Sequence, residues 1–134
     1  MATLYAEGGN YRIELDASRI ASCRVWRRPD VDSETGAAWA REKVAYFDAL
    51  ASGDARAMIF DLRDAPPVTG PKTQEALGKM VSAFERHGRR IAIVTGPSPV
   101  QRLQLQRIVD EAAPTVGRVV TSLDEARAWA TARR

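Results

Sequence analysis

A single α/β domain, with a mixed sheet of five strands covered by about four helices in the order ββαβαβαβα, is predicted by three observations. Two neighbouring stretches near the N-terminus alternate apolar and polar residues across a short polar turn. Two later stretches are short, nearly unbroken apolar runs. Each of these runs, and a last short strand, leads into a segment whose apolar residues recur at steps of three and four. Repeats of strand and helix demand parallel strands joined by right-handed crossovers, with the helices packed on the sheet. The chain has 134 residues, 45% of them hydrophobic and 28% charged. That suffices for one core without a disulfide or metal staple.

Residues Tyr11 to Asp16 place Tyr11, Ile13 and Leu15 on one face and Arg12, Glu14 and Asp16 on the other, as a half-buried strand does. Ile20 to Arg27 follows after a turn too short for anything but an antiparallel hairpin, and Pro29 ends the ladder for want of an N–H. Asp30 to Ser33 supplies caps for a helix from about Glu34 to Ala51, with Ala37, Ala40, Val44, Phe47 and Ala51 inward and Trp39, Tyr46 and Leu50 widening the stripe. Gly53 stands where a left-handed cap falls. Arg56 to Leu62 reads as a central strand buried on both faces.

Pro66, Pro67 and Gly70 break the chain before a helix over about Pro71 to His87, which Gly88 stops. Arg90 to Thr95 is a third buried strand, and Ser98-Pro99 puts a capping hydroxyl and an N1 proline at the head of a helix that ends before Pro114. Arg118 to Thr121 is a short strand. Ser122 and Glu125 then form a capping box for a helix through Trp129. No internal repeat, low-complexity tract or linker interrupts this order.

Composition narrows the chemistry. Seventeen arginines and three lysines stand against 17 acidic residues, a net charge of +3 that reads as GC-rich coding bias before it reads as an anionic partner. Arginines gather at Arg24, Arg27 and Arg28, at Arg86, Arg89 and Arg90, and at Arg133 and Arg134, but no run has the length of a nucleic-acid-binding tail. Cys23 is the single cysteine and His87 the single histidine, which excludes an internal disulfide and any cysteine-cluster zinc site. No cofactor is expected. No apolar stretch approaches the ~20 residues of a bilayer span, and Met1 to Asn10 lacks the pattern of a secretory leader, so the expectation is a cytoplasmic protein with Cys23 as a buried, inert thiol.

The element order, together with Ile59-Phe60-Asp61-Leu62-Arg63, Ala92 to Pro99 and Ser122 to Trp129, resembles STAS domains, the SpoIIAA-like family of anti-sigma factor antagonists, in its divergent bacterial branch. The resemblance spans nearly the whole chain. It implies a non-enzymatic signalling module that binds a protein partner through the loop and helix start after the central strand, by partner switching. Switches of the sporulation type carry Asp-Ser followed by Gly there. Here the loop from Asp61 to Gly70 lacks that serine and is about two residues shorter, leaving Thr69 as the one hydroxyl nearby. The layout is also similar to part of the CRAL-TRIO lipid-transfer domains, which implies the alternative of a small apolar or anionic ligand, a lipid or a nucleotide, held between the sheet and a movable helix.

The candidate partner or ligand residues are therefore Asp61, Arg63, Asp64, Thr69, Thr95 and Ser98, on two proline-flanked turns expected side by side at one rim of the sheet. Thr69 reads either as a cap for the second helix or as a phosphorylation site at its positive end. Asp61 and Asp64 form either a carboxylate pair or, with Arg63, an ion pair that fixes the loop. Arg63 is expected at the surface, so reversing its charge should leave melting nearly unchanged. The amides of Thr95-Gly96-Pro97-Ser98 read either as an anion seat or as ordinary capping, two prolines having removed donors. His87 suits a helix C-terminus rather than catalysis. Trp39 and Trp129 fit helix packing, whereas Trp26, on the face of Ser22 and Arg24, is a candidate interface anchor. No residue is assigned to catalysis or to a metal. A protein partner is expected, a homodimer is compatible with the pattern, and nucleic acid is not expected.

Overall fold

The computed structural model describes residues 2–67 and 69–132; Met1, Val68 in the loop after the central strand, and Arg133 and Arg134 of the C-terminal arginine cluster lie outside the described residues. Six strands form one sheet in the sequential order β1 to β6. β1 (Thr3–Glu7) pairs antiparallel with β2 (Tyr11–Leu15), and β2 with β3 (Ile20–Trp26). The chain then crosses over through α1 (Ser33–Ala49) to β4 (Ala57–Asp64), through α2 (Pro71–Arg86) to β5 (Arg90–Val94), and through α3 (Pro99–Ala112) to β6 (Gly117–Val120), each new strand parallel to the last. α4 (Leu123–Thr131) closes the chain.

The α/β class, the mixed sheet and the four helices agree with the expectation, but the sheet has a sixth strand. β1 is a short edge strand with a register irregularity between Leu4 and Ala6, and its residues are exposed or half-buried. Five residues without a buried face leave no alternation strong enough to read. Tyr5 of this strand meets Tyr46 of α1 edge-on, with centroids 6.3 Å apart. Tyr46 therefore packs outward against the edge strand instead of widening the core stripe.

Helix ends follow local chemistry. Asp32 caps α1 by accepting the Thr35 amide at 2.8 Å. Ser98 accepts from the Gln101 amide, with Pro99 at N1. Gly88 takes φ 63° beyond α2, the left-handed stop that its position announces. Gly53 does no such thing: α1 widens into a π-helical turn over Leu50–Asp54, closed by Ala55 N–H donating to Leu50 C=O, and Gly53 lies inside it. The Ser122–Glu125 box forms in a modified way. Ser122 Oγ accepts the Glu125 amide, but the Glu125 carboxylate is taken by the hydroxyls of Ser122 and Thr121.

Period-two alternation along the strands sorts side chains between two layers. On one face Tyr11, Ile13, Cys23, Met58, Phe60 and Ile93 meet α1, α2 and α3, with Phe47 edge-on to both Phe60 and Phe84. On the other, Ile20, Ile59, Ala92, Val94 and Val120 meet Ala126 and Ala130 of α4. Trp129 borders that smaller core, its Nε1 donating to Val116 C=O at 2.9 Å and its ring held between the Arg90 and Arg118 guanidiniums, 4.1 and 4.2 Å from the centroid. No helix of the described residues is long and apolar enough to cross a membrane.

Candidate functional site

β4 and β5 are parallel neighbours, so the turns that follow them lie together at one rim. Gln101, buried at the start of α3, stitches them: its Nε2 donates to Leu62 C=O at 3.0 Å and its Oε1 accepts from Gly96 N–H at 2.8 Å. Asp61 and Arg63 form the expected ion pair, and Asp64 pairs with Arg24 at 2.9 Å. Burial works to raise the Asp61 pKa, but the Arg63 guanidinium and backbone N–H hold the carboxyl below its ordinary value. Thr95 is buried with its hydroxyl donating to Val120 C=O, and the Ser98 hydroxyl is engaged as the α3 cap. Both act as structure.

The candidate residues do not share one surface. Successive side chains of β4 point to opposite faces. Asp61 and Arg63, two apart, accordingly line a polar groove on the α4 side together with half-buried Trp26, and Asp64, the last residue of β4, reaches the same groove in its pair with Arg24. Thr69 lies on the other side of the sheet. Its expected capping role also fails: Gly70 is the N-cap of α2 with no side-chain bond, and Thr69 stands one residue too early. Instead Thr69 N–H donates to Gln104 Oε1 at 3.4 Å, and its C=O accepts from Gln74 Nε2 at 2.8 Å.

What Thr69 borders is a cavity of about 440 Å³ between the sheet and α1, α2 and α3, within the size range of small-molecule sites. Its floor is apolar: Val25, Phe60, Leu62, Leu77, Leu105 and Ile108. Trp39 forms a wall, and Arg28 lies over the Trp39 ring at 5.6 Å while its guanidinium binds Asp30 and Gly9 C=O. Gly9 permits this wall, since a Cβ there would come within 2.1 Å of the indole.

Polar side chains also line the cavity, and two residues among them, Lys43 and Asn10, are short of partners. Lys43 of α1 is only 4% exposed, and its ammonium has no carboxylate or hydrogen-bond partner among the described residues; the nearest compensation is the Tyr11 ring, 4.8 Å from Nζ to centroid. Burial drives its pKa down, with the nearby Glu42 carboxylate opposing. Asn10 Oδ1 is buried and accepts no hydrogen bond. Neither residue was singled out in the sequence, although a signal exists. Ala40, Lys43, Phe47 and Leu50 step by three and four along α1, so Lys43 occupies a core position, and Val44, expected inward, is only half-buried.

No family model, curated protein or solved structure matches this chain. The resemblance to STAS domains therefore rests on the predicted element order and the three short stretches already named, and that to CRAL-TRIO domains on the layout alone. Among the described residues no three acidic, histidine or cysteine side chains gather to hold a metal ion.

Proposed function

We propose that this chain is a binding module for a small, largely apolar ligand seated between the sheet and the helices α1 to α3. The observation that carries the reading is Lys43, a residue only 4% exposed on the wall of an apolar cavity, whose ammonium has no ion pair or hydrogen bond among the described residues. A charge with little access to water is penalised unless something pairs with it, and the described residues supply no partner. The reading is of a binder rather than an enzyme, because the two rim aspartates are each held by an arginine on the opposite face of the sheet. Native mass spectrometry of the gently purified chain tests it. A retained small molecule, lost from a Leu105→Trp variant that fills the floor, is the expected result; a chain that stays empty and takes up no apolar dye argues against a ligand.

A second reading, binding of a protein partner in the STAS manner, is favoured by one feature of α3. Val100 and Leu103 are 50% and 71% exposed on the turns beside the Pro97–Pro99 loop, and Arg102 between them makes no ion pair among the described residues. Such an exposed apolar pair beside a cation suits a protein interface. Leu103→Asp would abolish capture of that partner without lowering stability; unchanged capture would rule the patch out. Phosphorylation of Thr69 belongs to this reading and is tested by intact mass after expression with the chain's native kinases.

A further inference from the structure

We propose that the cavity ligand is an amphipathic monocarboxylate whose carboxylate pairs with Lys43. The inference rests on the binding reading above and adds the chemistry of the ligand's head. Every other charge bordering the cavity is exposed or already engaged. Arg28 is held by Asp30 and Gly9, the Asp32 carboxylate caps α1, and Arg27 is exposed at the rim. Lys43 is the one charged group on the buried wall among the described residues.

Three groups face Lys43 from its own helix and the elements packed around it. The Tyr11 ring presents its face from β2, the Cys23 thiol lies near on β3, and Glu42 precedes it on the same helix with its carboxylate accepting the Tyr11 hydroxyl at 2.9 Å. A ring face stabilises an ammonium without neutralising it. A carboxylate would complete the pair, and a charge-assisted hydrogen bond is about twice as strong as a neutral one. Asn10 lies on the same cavity's lining, beside the Tyr11 that carries the ring. The apolar floor between these groups takes the hydrocarbon body.

Decanoate, decanol and decylamine, titrated calorimetrically into the full chain, separate head from body. The expected result is decanoate binding at least about tenfold tighter than decanol, with decylamine weakest, and loss of the decanoate advantage in Lys43→Met while decanol still binds. Equal affinity for decanoate and decanol would overturn the carboxylate assignment and leave the cavity reading standing. Binding of none of the three would overturn both. A decanoate advantage that survives in Lys43→Met would overturn the assignment to Lys43. Because the variant removes a buried side chain, a wild-type measurement runs beside it: in NMR titrations of the three lysines, decanoate should raise the Lys43 midpoint by about one pH unit, the linkage counterpart of a tenfold preference, and decanol should not. A midpoint indifferent to decanoate would refute the pair.

Discussion

The Arg63 guanidinium holds the Asp61 carboxylate at both oxygens, Nε to Oδ1 at 2.9 Å and Nη2 to Oδ2 at 2.8 Å, while the Arg63 N–H reaches Oδ1 from behind. Asp61 is 8% exposed, so removing the guanidinium leaves a buried carboxylate with Oδ2 unpaired and only the backbone N–H on Oδ1. Arg63→Ala should therefore lower unfolding free energy by roughly 1–3 kcal/mol, the penalty for a buried acceptor left without its donor. The exposed Arg24–Asp64 pair should matter far less, with Arg24→Ala losing at most about 1 kcal/mol. Urea denaturation of both variants checks the contrast. Reversing the charge at Arg63, expected from sequence to leave melting nearly unchanged, should instead lower it.

The same pair sets an acid limb. A carboxyl whose folded pKa lies below its unfolded value of about 3.9 contributes stability that is present above that pH and lost as pH falls through the folded value. In Asp61→Asn that part of the acid loss should disappear. Denaturant midpoints measured from pH 5 down to pH 2 would show it, and parallel curves for the two proteins would contradict it.

Cys23 sets an alkaline one. Burial pushes its thiol up to about 12, so between the unfolded value of about 8.5 and that pH the folded state holds a proton that the unfolded chain releases. Stability contributed by this thiol should fall with rising pH at about 1.4 kcal/mol per unit in that window. The tyrosines Tyr5 and Tyr11 are raised too, so the comparison is with Cys23→Ala, which should retain their slope and lose this one.

Trp129 is the keystone of the smaller core, and cutting it to Ala should lose about 3 kcal/mol, the lower end for an aromatic truncation because its ring is half-exposed. Trp129→Phe keeps the ring face between Arg90 and Arg118 but leaves Val116 C=O without its indole donor, so its loss should be smaller, roughly 1–2 kcal/mol. Equal losses in the two variants would mean that the arginine stack contributes nothing.

Gly9→Ala probes the cavity wall. Its new methyl would collide with the Trp39 ring, a flat and well-packed neighbour, so the indole must move or the turn must open at a penalty of about 1–3 kcal/mol. The expected outcome is altered Trp39 fluorescence together with weakened ligand uptake. Unchanged emission would show that the turn yields instead.

Much of the architecture was legible because it depends on local patterns. Alternation in Tyr11–Leu15 and Ile20–Trp26 announces the hairpin, the run Ala57–Phe60 announces a strand buried on both faces, and Ser98-Pro99 announces α3. β1 was not legible, since an edge strand with no buried face carries no periodic signal. Nor was the division of the rim residues. Asp61 and Thr69 are eight positions apart in one loop region, yet the sheet passes between them.

The amino-acid sequence by itself determined the parallel βα succession, the stop at Gly88 and the caps at Ser98 and Ser122, and the adjacency of the turns after β4 and β5, because hydrophobic period, chirality and capping act over a few neighbouring residues. Only the tertiary structure decided that Lys43 and Asn10 meet an apolar space. A lysine within an amphipathic helix can reach solvent or be enclosed, and which happens depends on packing by β2, α2 and α3, segments tens of residues away whose combined shape no local pattern encodes.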